Sequence, residues 1–247
     1  MATVHLIEFH TDGANKKQGP GGGGILTYFD KQLMHIGQIT SHETTNQQME
    51  AGSALWALFY IYHYLKLTFP DYNKKETHFR IRGFSDSEYT VKGNNEWMWN
   101  WAKKGWTNNT GKPISNMGYW KAFYAIRRRL QEEFTITKLD FQWYKGHSGI
   151  QYNEACDKIA TESYAKNIYK ETEHFLDIKE GNTPSPADRL YDLVSGFSFL
   201  KDNINYEDRP LCTFNPFNIS TSAKDDVKII LPYIDEKIRH GFKRYLE

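Results

Sequence analysis

The stretch that most constrains this chain runs from Val4 to Ala14, Val-His-Leu-Ile-Glu-Phe-His-Thr-Asp-Gly-Ala. Its apolar residues fall on both parities, Val4 and Leu6 on one and Ile7 and Phe9 on the other. That pattern suits a central strand covered on both faces better than a one-sided edge strand. Asp12 comes where the strand is expected to stop, and Gly13 is expected to release the backbone into a loop. A carboxylate is then left at the open end of a buried sheet, where ligands of α/β folds usually sit. An Asp before Gly also starts many ordinary turns, so the significance of Asp12 depends on the rest of the chain.

Asn15 to Pro20 reads as a polar turn, and Gly21 to Gly24 lead into a second strand, Ile25 to Phe29. A glycine run invites a phosphate-loop reading, but no Gly-Lys-Ser/Thr and no helix follow it, so a hairpin is expected. Asp30-Lys31 turns the chain into a third strand, Gln32 to Ile39, antiparallel to the second. The longest helical pattern begins at Thr44-Thr45-Asn46-Gln47. Thr44 with Gln47, or Thr45 with Gln48, fits a capping box, and Ala51, Ala54, Leu55, Leu58, Ile61, Tyr62 and Leu65 recur at helical spacing. Glu50 borders that buried face, where an unpaired carboxylate is unexpected. Phe79 to Phe84 is the next strand. Ser85 and Glu88 then satisfy a capping box, which leaves Asp86 free of capping duty, although a first-turn acid also suits the helix dipole. Ile136 to Lys145 is the fifth strand, closed by Gly146-His147-Ser148-Gly149; a histidine in such a loop has no core to satisfy. Asn153 starts a helix whose Cys156, Ile159, Ala160 and Tyr164 are expected to face inward, with Asp157 flanking that face.

Residues 94–112 interleave Trp97, Trp99, Trp101 and Trp106 with Lys103, Lys104 and Lys112. Tryptophans on a lysine-bearing segment suit a nucleic-acid surface, where aromatic faces pack on sugars or bases and lysines meet phosphates. An amphipathic helix burying two of the tryptophans is the plainer alternative. Met117 to Leu130 is a further helix, and its closing Arg127-Arg128-Arg129 reads as dipole complementation and solvation.

The chain has 247 residues, enough for one full core and a smaller second module. The net charge of +1 is unevenly spread: residues 171–247 carry −4 and residues 1–170 carry +5. A mildly basic body is compatible with a polyanionic partner. Cys156 and Cys212 form no disulfide framework or metal-binding spacing, which points to a reducing compartment. No basic region followed by an apolar core opens the chain, and no run reaches the ~18 apolar residues of a membrane span. A soluble, cytoplasmic protein without a membrane partner is expected, and the glycosylation patterns at Asn108 and Asn218 are discounted accordingly.

Asp12, Glu50, Asp86 and Asp157 together form an oxygen ligand set suited to a pair of hard divalent ions. Two such ions about 4 Å apart can stabilise the attacking and leaving oxygens of a phosphodiester. Without cations, two carboxylates ~5 Å apart repel by roughly 3 kcal/mol at an effective dielectric of 20, so four would not be gathered for stability.

Thr11-Asp12-Gly13-Ala14, Thr44 to Glu50, Ser85-Asp86-Ser87, Gly146 to Gly149 and Asn153 to Asp157 stand in the order and spacing of type 1 ribonuclease H, which residues 1 to about 168 resemble. The resemblance implies an α/β fold with a five-stranded mixed sheet and helices on both faces, making residues 1–170 a catalytic domain. It implies endonucleolytic cleavage of the RNA strand of an RNA–DNA hybrid, leaving a 3′-hydroxyl and a 5′-phosphate. Asp12, Glu50, Asp86 and Asp157 would hold two Mg²⁺ ions, with Mn²⁺ able to substitute, and His147 would assist proton transfer or departure of product and metal. Asn46 and Gln47 would touch the RNA strand across the minor groove, where 2′-hydroxyls identify RNA. Trp97 and Trp101 would pack on deoxyribose, Lys103 and Lys104 would belong to a segment that resembles the family's basic handle, and Thr45 with Asn116 would hold a DNA-strand phosphate. Asn15 and Gln18 would be further nucleic-acid contacts, on a loop shorter than in common bacterial members. Glu43 stands where many members carry an arginine. Residues 171–247 are foreign to the family's minimal form. They read as a mainly helical extension with helix candidates Ala187 to Leu200 and Ala223 to Leu246 around an aromatic stretch including Phe214 and Phe217, open to packing on the body, self-association or a protein partner. A metal-dependent exonuclease and a non-catalytic nucleic-acid module of the same fold are the alternatives.

Overall fold

The first strand takes the centre of the sheet because its neighbours on either side form by different routes. In a computed structural model, which describes residues 2–17, 19–41, 44–165, 193–201 and 211–213, β1 (Thr3–Asn15) pairs antiparallel with the hairpin strand β2 (Gly21–Phe29) and parallel with β4 (Thr77–Ser85). β3 (Gln32–Ser41) continues beyond β2, and β5 (Ile136–Trp143) lies parallel outside β4. The order is β5-β4-β1-β2-β3-β6. The five expected strands are all present. The sixth, β6 (Leu211–Thr213), comes from the extension and pairs parallel with His35 to Gly37 of β3.

β1 does not stop at Asp12. The parallel ladder ends at His10↔Phe84, but the antiparallel ladder runs on through Asp12↔Gly24 to Asn15↔Gly21. Asp12 is therefore a strand residue that has outrun its β4 neighbour. The two-sided covering of β1 is also uneven: Ile7 and Phe9 are buried, whereas Val4 is 55% exposed, and its face becomes covered only at His10.

Helix α1 (Asn46–Thr68) packs on one face with α4 (Met117–Glu133), and α5 (Gln151–Ala165) on the other. The glycine run explains how closely they approach. A Cβ on Gly23 would run into the Ser53 hydroxyl of α1, and one on Gly24 into the Cys156 carbonyl of α5. The larger core joins Ile7, Phe9, Leu58, Tyr62, Phe79, Trp120, Phe123 and Phe141, beneath α1 and α4.

The smaller core lies under α5 and includes part of the extension. Leu26, Tyr28, Leu33 and Ile36 of β2 and β3 meet Ala155, Cys156 and Ile159 of α5, and Val194 and Phe199 complete the cluster. Phe199 belongs to the helical turn α6 (Ser198–Lys201). The extension is therefore not wholly helical, since its described residues contribute both α6 and β6. The expected helix at Ala223 to Leu246 and the aromatics Phe214 and Phe217 lie outside the described residues, as does the side chain of Tyr164, expected to face inward. Among the described residues, no helix is long and apolar enough to cross a membrane.

Between β4 and α4, α2 (Glu88–Lys92) passes through a π-helical turn, Gly93–Trp97, into α3 (Met98–Lys103). Arg127 departs from the expected solvated basic run. It is buried, and its guanidinium donates to the Asn94 carbonyl at 2.6 Å and the Leu139 carbonyl at 2.9 Å, tying this turn to β5. Arg128 and Arg129 do pair on the surface, with Glu132 and Glu133.

Candidate active site

Four elements converge where β1 extends past β4, and each brings one carboxylate. Asp12 lies on β1 with 6% of its surface exposed. Its Oδ1 accepts from the Gly13 N–H at 2.7 Å, and its Oδ2 accepts from Asn153 Nδ2 at 3.1 Å. Burial, followed by the charges of Asp86, Asp157 and Glu50, pushes its carboxyl up to about 8 despite the Gly13 hydrogen bond.

Glu50 reaches the cluster from the second turn of α1, one turn on from Asn46. The helix starts where it does because Thr45 and Gln48 form a reciprocal capping box, the second of the two pairings the sequence allows. Glu50 Oε1 accepts from Asn46 Nδ2 at 2.7 Å and Oε2 from the Ser87 hydroxyl at 2.5 Å. Burial raises its carboxyl to about 7, against the Ser87 hydrogen bond and with the Asp86 charge adding to the rise.

Asp86 occupies the turn between β4 and α2. Ser85 does not cap α2: Ser87 is the N-cap, accepting from the Thr90 N–H, while Ser85 Oγ accepts from the Ser87 N–H within the turn. Burial pushes the Asp86 carboxyl up; the Asn153 side chain and the nearby His147 oppose the rise, and Asp157 adds to it. A Cβ on Gly146 would run into Asp86, so the glycine lets the β5–α5 loop lie against this acid. His147 itself is exposed and has φ of 50°, on the open side of the cluster. Asp157, on α5, accepts from the Thr161 hydroxyl at 3.3 Å.

The four acids are thus one electrostatic unit, with Asn153 shared between Asp12 and Asp86. Among the described residues, no three His, Cys, Asp or Glu side chains are drawn into a closed metal cage. The donor chemistry nonetheless suits a hard divalent cation: all four groups offer carboxylate oxygens, and Asp12, Glu50 and Asp86 are pushed toward protonation by burial and mutual repulsion. Beneath Asp12, His10 is buried between the rings of Phe84 and Tyr152 at 4.6 and 4.5 Å, and burial lowers its imidazole to about 3, so it stays neutral.

The expected nucleic-acid contacts fall into two groups around this cluster. Thr45, Asn46 and Gln47 are exposed at the start of α1, and Gln48 links them to Asn116, the other residue expected at a DNA-strand phosphate, by donating from Nε2 to Asn116 Oδ1 at 3.2 Å. Asn116 caps α4 in a left-handed conformation, φ 54°, and donates to the Tyr89 hydroxyl. Asn46 is already engaged with Glu50, and Asn15 donates to the Thr44 carbonyl at 3.1 Å, bracing its loop. Gln18 and Glu43 lie outside the described residues.

The tryptophan segment divides by face. Trp99 of α3 and Trp106, beyond the end of that helix, pack on Tyr124 of α4 but stay half-buried, so the pair falls short of the two buried tryptophans of the amphipathic alternative. Trp97 and Trp101 form a half-buried pair with ring centroids 5.8 Å apart, supported by Trp120 behind Trp101. Lys103 and Lys104 are exposed at the end of α3.

Three residues that position the site carry no signature of that duty in the sequence. Ser87 was hidden because Ser85 matched the capping pattern. Asn153 looked like a helix start, and Gln48 like a capping partner whose other amide end has no sequence signature.

The RNase H family matches residues 5–165. Among the relatives, the ribonuclease H of Hahella chejuensis is 35% identical over 160 residues, covering 64% of this chain and 92% of that one. The ribonuclease H of a Cyanothece species is 32% identical over 158 residues, covering 64% and 88%. Of solved structures, LC9-RNase H1, a type 1 RNase H, has a TM-score of 0.49 at 22% identity and covers 67% of this chain and 75% of that one. From residue 5 to residue 165, the chain belongs to the ribonuclease H family of hydrolases that act on nucleic acids.

Proposed function

We propose that the protein is an endonuclease that hydrolyses the RNA strand of RNA–DNA hybrids with two divalent metal ions, leaving 3′-hydroxyl and 5′-phosphate ends. The observation that carries this reading is the electrostatic unit of Asp12, Glu50, Asp86 and Asp157 in a chain of this family. In this reading residues 1–170 are the catalytic domain and residues 171–247 an extension.

Asp12, Glu50, Asp86 and Asp157 would hold the ions, Mg²⁺ or Mn²⁺, whose chemistry is to polarise the scissile phosphate and offset charge on the attacking and leaving oxygens. The chain's own contribution is preorganisation. The Gly13 N–H and Asn153 fix the two oxygens of Asp12, and Asn46 and Ser87 fix those of Glu50. His147 stands exposed beside Asp86, where its imidazole would receive or deliver a proton at the edge of the cluster. Thr45 and Asn116, linked through Gln48, would hold a phosphate of the DNA strand, while Asn46 and Gln47 would touch the RNA strand. Trp97 and Trp101 would pack on deoxyribose, with Lys103 and Lys104 near phosphates and Asn15 bracing the adjoining loop.

A covalently closed circular hybrid without ends separates this reading from an exonuclease. Cleavage of its RNA strand supports the proposal; cleavage only of linear hybrids from an end would refute it.

A further inference from the structure

The N-terminal turn of α5 carries the residues on which Asp12 and Asp86 lean. Tyr152 stacks on His10, Asn153 donates to Asp12, and Asp157 lies one turn on. The loop leading into this turn gives it little anchorage. Residues 147–149 are exposed, and His147 and Gly149 have φ of 50° and 82°. The extension supplies anchorage from the other side. The Ser198 hydroxyl donates to Gln151 Oε1 at 2.5 Å, at the first residue of α5. The Phe199 ring packs on Tyr152 with centroids 5.4 Å apart and on Tyr28 of β2 at 6.5 Å. Phe197 lies under the Lys158 ammonium at 5.9 Å, and Val194 is fully buried against the same cluster.

We infer that residues 193–199 are a clamp that fixes the first turn of α5 and so positions Asn153 and Asp157 within the acid cluster. Phe199 and Ser198 are its positioning residues, acting through Tyr152 and Gln151. The clamp explains why a segment foreign to the minimal family contributes to the smaller core at the end of α5 nearest the acids. The inference rests on the proposed role of those acids in holding divalent ions.

The test uses the full chain with Phe199→Ala, Phe199→Leu and Ser198→Ala, beside Phe134→Leu, a substitution in the larger core. The first readout is amide hydrogen exchange in metal-free protein. Phe199→Ala is expected to speed exchange at Glu154 to Asp157 roughly tenfold while the amides of α1 and α4 keep their protection. The second is the Mg²⁺ concentration for half-maximal cleavage of a hybrid. It is expected to rise by about tenfold, the scale on which outer-shell partners tune metal affinity, with KM for the hybrid unchanged. Phe199→Leu should restore most of both effects, and Phe134→Leu should show neither. Ser198 is exposed, so Ser198→Ala perturbs the clamp without emptying the core if Phe199→Ala fails to fold. Exchange that quickens evenly over the whole molecule, or local loosening with an unchanged Mg²⁺ requirement, overturns the inference. Should the parent protein leave hybrids intact, the proposed function fails, while the exchange readout still decides whether the clamp exists.

Discussion

Asp12→Asn in metal-free buffer should make this protein more stable at alkaline pH while removing its activity. The carboxyl of Asp12 titrates at about 8 in the folded chain instead of 3.8. A group whose folded pKa lies above its unfolded value favours the folded state when protonated. Its contribution is complete below about pH 4 and is lost as pH rises toward 8. Roughly four pH units at about 1.4 kcal/mol each give an upper bound of roughly 6 kcal/mol for holding the ionised group in place. Asparagine removes that charge and keeps an oxygen for the Gly13 N–H, but its amide faces Asn153 Nδ2 where Oδ2 accepted a hydrogen bond. That loss costs about 1–3 kcal/mol. The net gain of roughly 3–5 kcal/mol corresponds, for a chain of this size, to a rise in Tm of roughly 6–20 °C near pH 9. Near pH 4.5 the gain should vanish or change sign. Thermal melts of both forms in EDTA at three pH values measure the difference. A Tm difference that does not change with pH, or a variant that melts earlier near pH 9, would refute the reasoning.

His147→Ala should slow cleavage by ~10²–10⁴-fold without abolishing it, because an exposed general acid–base partner assists chemistry that the acid cluster organises; single-turnover rates check this, and a loss as complete as that of Asp12→Asn would contradict it. Trp97→Ala and Trp101→Ala should each weaken hybrid binding by about 1–3 kcal/mol with little change in the saturated rate, as binding titrations would show; an unchanged Kd would remove the pair from the interface. Truncation after Lys170 uncovers Leu26, Tyr28, Leu33 and Ile36 by removing Val194 and Phe199. At about 1.5–3 kcal/mol for each of these two buried side chains, urea unfolding should show a loss of roughly 3–6 kcal/mol, while removal of a segment of net −4 should tighten hybrid binding at low salt. A truncated chain as stable as the parent would show that this cover is dispensable.

The parts legible in the sequence were those set by local pattern. Both parities of apolar residues in β1, the helical spacing from Ala51 to Leu65 and the strand ending near Asp86 all have short-range signatures, and they placed four acids on four elements. What stayed hidden depends on meetings across the fold. Whether Asp12 ends a strand or continues it is decided by β2 outlasting β4, which no property of residues 4–14 records. Arg127 looked like one of three solvated arginines because its acceptors, the carbonyls of Asn94 and Leu139, are brought to it by tertiary packing. The extension's contribution stayed open for a similar reason: packing on the body was one of three options, and Val194 and Phe199 meet β2, β3 and α5, as β6 meets β3, only at long range.

The most direct measurement is incubation of the full chain with an RNA–DNA hybrid labelled separately on each strand, in Mg²⁺ and in EDTA. The account predicts internal cuts in the RNA strand alone, only with the divalent ion, leaving 5′-phosphate ends, and none with Asp12→Asn. Cleavage of the DNA strand, cleavage in EDTA, or retained activity in Asp12→Asn would contradict it.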